Sequence, residues 1–190
     1  GGIVFGGTGF DVDRVVLSDD VTANGPIDAS GMTGDVDLNG GDRVFDSAAA
    51  DGDITFNPAT DIFDTPGDFD FEVKAGSGDV LFGTVGQTDT IGNLTVTTAA
   101  TVTFPGDVDV TGDVDVVNST EDVLVKADIT AGGNVDLDTD GGKGHNIVQD
   151  VGTTIDAGGF VDASAYDITL ANVTAGTANV SNGINADAAR

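Results

Sequence analysis

Three aspartates at alternate positions, followed by glycine, form the best candidate for chemistry in this chain: Asp136-Leu-Asp-Thr-Asp-Gly141. Asp136, Asp138 and Asp140 offer hard oxygen ligands, and Gly141 permits the sharp turn that closes a loop round a cation such as Ca²⁺. A helix-flanked calcium loop is excluded, because its twelfth position is Ile147 instead of Glu and its flanks carry no helical pattern. Two readings stay open. One is a Ca²⁺ site at the corner of a β-rich rod. The other is a strand projecting Asp136 and Asp138, ended by an Asp140-Gly141 turn. A second near-match, Gly6-Gly-Thr-Gly-Phe-Asp-Val-Asp-Arg14, has the outline of a calcium nonapeptide. Asp13 occupies its apolar position and no tandem copy follows, so it reads as a turn.

Catalytic groups are scarce. His145 is the only histidine and lies in a glycine-rich loop, and there is no cysteine, which leaves nucleophilic catalysis little to work with. Glycoside hydrolysis needs only two carboxylates, so a carbohydrate-active enzyme stays as an alternative. Cleavage of a polyanion would need a basic groove, and six Lys and Arg residues scattered along the chain do not make one. The net charge of −27 argues against nucleic acid and anionic lipid as partners. No apolar run approaches the ~18 residues of a membrane span. Of 33 acidic residues only Glu72 and Glu121 are Glu, and that bias toward the short side chain points to turns and to cation ligation. Adaptation to high salt is a competing explanation.

The elements that must position these groups are short strands. A phrase of Gly, then Asp or Asn, then alternating apolar and polar residues begins at Gly34, Gly52, Gly67, Gly78, Gly92, Gly106, Gly112 and Gly133. Each copy reads as a turn followed by a strand of period two. One such strand cannot bury its apolar face, but a stack of them can, so the chain reads as a β-solenoid. The copies are spaced irregularly, by 18, 15, 11, 14, 14, 6 and 21 residues, which predicts coils of irregular length with loops at their corners. With two or three strands per coil, a coil is about 20–25 residues, the chain holds about eight coils, and the rod is about 40 Å long. Alternation puts Val108, Val110, Val114 and Val116 inside and Asp109 and Asp115 outside. Phe56, Phe71, Phe82 and Phe104 are candidates for an aromatic stack within the coil. Helical periodicity is nearly absent, and Ala48-Ala49-Ala50 reads as a loop.

The stretches Gly52-Asp-Ile-Thr-Phe56, Ala75-Gly-Ser-Gly-Asp-Val-Leu-Phe-Gly-Thr-Val-Gly86 and Ile91-Gly-Asn-Leu-Thr-Val-Thr-Thr-Ala-Ala-Thr-Val-Thr-Phe104 resemble the repeat region of large bacterial surface exoproteins of the filamentous-haemagglutinin type. Ile129-Thr-Ala-Gly-Gly-Asn-Val-Asp-Leu137 and Ile155-Asp-Ala-Gly-Gly-Phe-Val-Asp-Ala163 are similar. The resemblance covers roughly residues 34 to 185. It implies a right-handed parallel β-helix, secretion to the cell surface, and a part in adhesion or filament building. The heavy Asp load departs from that pattern, and the family's secretion domain is not in this sequence.

The expectation is therefore one β-solenoid segment over residues 1–190, a piece of a longer rod, extracellular and non-enzymatic. It would self-associate into a fibre, meet a host surface or glycan, insert in no membrane and gain stability from cations. The alternative outside the solenoid class is a Ca²⁺-dependent β-sandwich module with antiparallel hairpins.

Overall fold

The structure, a computed structural model, describes residues 1–6, 14–65 and 67–181. The chain winds as a parallel β-solenoid of about seven turns with three faces. One lap runs along Val102–Phe104 on the first face, Val108–Val110 on the second and Val114–Ser119 on the third. The first faces stack into an eight-stranded sheet. The second and third faces form one fourteen-stranded sheet, because Thr154–Ser164 and Asn172–Ser181 pass round the corner between them without a break. Every strand pairing among the described residues is parallel, which overturns the β-sandwich alternative and its hairpins.

Register defines the lap. Ile3, Ile27, Ile54, Val80, Val102, Val123, Ile147 and Ile168 lie in one column, at intervals of 24, 27, 26, 22, 21, 24 and 21 residues. The second and third laps, of 27 and 26 residues, are thus slightly longer than expected. The phrase spacing is irregular because the phrase marks corners and not laps. Gly52 and Gly78 precede first-face strands, Gly34 and Gly106 second-face strands, and Gly92, Gly112 and Gly133 third-face strands.

Alternation fills the interior as the sequence predicts. Val108, Val110, Val114 and Val116 are buried, while Asp109 and Asp115 sit half-buried on the outside. The predicted aromatic stack forms: Phe82 stacks on Phe104 with centroids 5.1 Å apart and on Phe56 at 6.2 Å, both with rings within 5° of parallel. Phe71 packs edge-on to Phe45 at 5.3 Å, and Phe45 joins the cluster from Arg43–Asp46, a strand the residue pattern does not predict. Arg43 hides that strand. Its buried guanidinium group donates to the carbonyls of Leu17, Asn39 and Asp42, which ties two laps together and satisfies the charge. Further along, the Phe104 column continues through Val125 to Gln149. The buried Gln149 amide donates to the Thr153 and Asn172 carbonyls and accepts from the Ala171 N–H, so no polar atom is stranded there. Ala48–Ala50, read as a loop, forms one short 3₁₀ turn.

Candidate functional site

The aspartates do most of their work at the corners. On the third corner the Asp70 N–H donates to Asp42 Oδ1 (3.0 Å), Asn93 N–H to Asp70 (2.8 Å), Asp113 N–H to Asn93 (2.7 Å), Asn134 N–H to Asp113 (2.6 Å) and Phe160 N–H to Asn134 (3.1 Å). On the first corner Asp79 N–H donates to Asp53, Thr101 N–H to Asp79 and Asn146 N–H to Asp122. On the second, Asp61 N–H donates to Asp35, Asp128 N–H to Asp107 and Thr154 N–H to Asp128. Each bond spans one lap, where the chain turns and regular pairing lapses. The side chain takes the place of the missing ladder carbonyl. Asp reaches an N–H one strand away, and the extra methylene of Glu adds reach and rotamer entropy that this geometry does not need. All these bonds point one way: the side chain of one lap accepts from the backbone of the next.

The glycine of the phrase belongs to the same device. A Cβ on Gly133 would collide with the Asp113 carboxylate that Asn134 needs as acceptor. A Cβ on Gly78 would lie 2.5 Å from the Gly52 carbonyl carbon of the lap before. Glycine in one lap therefore leaves room for the aspartate of its neighbour.

The three predicted metal ligands divide. Asp136 and Asp138 project from the outer side of Val135–Thr139. Asp140 lies beyond the strand end, where its Oδ1 accepts the Gly142 N–H (2.8 Å) and contacts His145 Nδ1. These contacts hold the Asp140 carboxyl below its ordinary range, the Gly142 N–H first and the imidazole second. Among the described residues no group of three or more Asp, Glu, His or Cys side chains is gathered so as to hold a metal ion. The Gly6–Arg14 motif falls largely outside the described residues.

Asp136 instead belongs to an acidic column. Glu72, Thr95, Asp115, Asp136 and Asp162 follow one another in register on the outer side of the third face. Burial, and then the charges of Asp138, Asp115 and Asp162, push the Asp136 carboxyl up to about 6. Burial followed by Asp162 and Asp115 raises Asp138, and burial followed by Asp113 raises Asp115. At the start of the column burial alone would raise Glu72, but the Thr97 hydroxyl and Lys74 together outweigh it and lower its pKa. Like charges in adjacent register repel, and Asp115, Asp136 and Asp162 stack in successive laps. On the second face the fully buried Asp37 makes a charge contact with Arg14 at 2.7 Å, off the line of a hydrogen bond, and Arg14 lies 5.7 Å from the centre of the Phe63 ring.

No family model, curated protein or solved structure matches the chain. The geometry therefore has to carry the functional reading. It offers a continuous rod, a strongly acidic third face and Asp and Asn corner bonds of one direction. Among the described residues no helix is long and apolar enough to cross a membrane.

Proposed function

We propose that the chain is a non-enzymatic structural segment of an extracellular, cell-surface adhesive fibre, with copies stacked end to end. The observation that carries this reading is the one-way corner ladder. Within the described residues, Ile3–Gly6 pairs on one side only, and so does Asn172–Ser181 at the other extreme of its sheet. Unpaired parallel edges are templates for further strands. The parallel stack and its one-way ladder give the rod a direction, so a second copy docks head to tail in the same orientation. The pattern resemblance to filamentous-haemagglutinin repeats favours the same reading and supplies its extracellular, adhesive part. The binding partner on this reading is a host surface or glycan.

Cations, with Ca²⁺ the first candidate, complete the proposal as counter-ions of the Asp115–Asp136–Asp162 column rather than as a closed three-ligand site. Light scattering and negative-stain electron microscopy across a concentration series, with and without Ca²⁺, test the fibre. Growth of unbranched rods is the expected result. A particle that stays one chain long at the highest concentration, with Ca²⁺ present, defeats it.

A further inference from the structure

The three faces differ in charge. The outward column of the first face starts with Val4 and Asp28 and then runs Thr55, Leu81, Thr103, Leu124, Val148 and Thr169 in unbroken register. Six successive strands thus present no charge, in a chain of net charge −27 whose second and third faces carry Asp109 and Asp156, and Asp115, Asp136 and Asp162, at the equivalent places. Two such rods repel along most of their surface and meet without repulsion only here.

We propose that the first face is a lateral docking surface for a second copy of this chain, with the two rods parallel and in register. The corners fix the orientation. The corner before the first face carries Asp53, Asp79, Asp122 and Asp167, whereas the corner after it carries Asn57, Gly83, Pro105 and Lys126, and then Asp150. A two-fold axis parallel to the rods sets each corner row against the other row of the partner at the same level. Lys126 then faces Asp122 of the second copy, Asp150 faces Asn146, and the one aspartate set against its own copy is Asp28, outside the uncharged run. Lys126 is exposed and forms no ion pair with any described residue. Antiparallel rods would instead set the Asp-rich rows against each other, Asp53 against Asp167. Leu81, Leu124 and Val148 each meet their own copy across the axis, and the threonines between them do the same.

The area sets the strength. Six strands at a spacing of about 4.8 Å and a face about 13 Å wide give about 370 Å² per copy. A stable pair buries about 800 Å² per partner, so a single segment pairs weakly. Contacts repeated along a longer rod would add through effective concentration. The lateral pair does not require end-to-end stacking, and the test separates the two.

The chain has no cysteine, so each introduced thiol is unique. Thr55→Cys and Thr169→Cys, each treated with a short bis-maleimide at high protein concentration, should give covalent dimers well above the yield of Asp156→Cys on the second face. Stacking end to end cannot bring Thr55 to its own copy. Leu124→Asp should weaken the dimer by about tenfold or more in sedimentation, with near-native melting because the side chain points outward. Three results overturn the proposal: no excess cross-linking over Asp156→Cys, cross-links between Thr55→Cys and Thr169→Cys chains only when the two are mixed, or a dimer untouched by Leu124→Asp.

Discussion

Asp136 is the residue whose surroundings most oppose its charge. Its carboxyl titrates near 6 because burial disfavours ionisation and Asp138, Asp115 and Asp162 add their repulsion. A group whose pKa is higher folded than unfolded binds its proton more tightly in the folded state. Its contribution to stability is therefore complete at low pH and is lost as pH rises through about 6. Asp64, Asp115 and Asp138 shift in the same direction, Asp64 chiefly through burial, while Asp140 and Glu72 shift the other way. Thermal melts followed by circular dichroism should accordingly show a higher melting temperature at mildly acidic pH than at neutral pH. Asp136→Asn should melt higher than the parent at neutral pH, by about 2–4 °C for each kcal/mol of relieved repulsion, and should gain less on acidification. Equal melting of parent and variant at neutral pH would remove the strain assigned to this column.

Corners are the elements that set this fold apart from a plain stack of strands. The Asp113 carboxylate accepts the Asn134 N–H, and Asn93 does the same for Asp113, so Asp and Asn are interchangeable as acceptors along the column. Asp113→Asn should leave the melting temperature level or raise it by shedding one negative charge. Asp113→Ala should cost about 1 kcal/mol by leaving the Asn134 N–H without its acceptor. A chemical-denaturation series of the two variants decides between these outcomes; equal loss in both would show that the side chain matters for something other than acceptance. Much of this element was legible beforehand. The Gly-Asp phrase marked the turns, alternation assigned Val108 to Val116 to the inside, and the phenylalanine stack followed from strand-end spacing. What stayed hidden had physical reasons. Thr154–Ser164 reads as broken at Gly158-Gly159, yet the backbone stays extended through both because they pass closely over Gly132 and Asn134. Arg43–Asp46 opens on a charge that only the Leu17, Asn39 and Asp42 carbonyls of the folded state can satisfy. Of the two readings open for Asp136-Leu-Asp-Thr-Asp-Gly141, the strand ended by a turn at Asp140 describes the backbone seen here.

At the scale of the molecule, repulsion among 33 acidic residues opposes the compact rod, and ions in solution offset it. Raising monovalent salt from about 0.01 to 0.1 M shortens the screening length from about 30 to about 10 Å, and the melting temperature should climb over that range. A further rise with Ca²⁺ at matched ionic strength would mark ions held by the acidic column. A melting temperature indifferent to both would leave the carboxylates of that column with no dependence on cations at all.

The uniform sense of the corner bonds gives the rod an arrow. Along the described laps each of these side chains accepts from the lap that follows it, so the two directions along the rod are not equivalent. A polymer assembled from such units has unlike tips, so subunits join and leave at two different rates, and an agent that blocks one tip leaves elongation at the other intact.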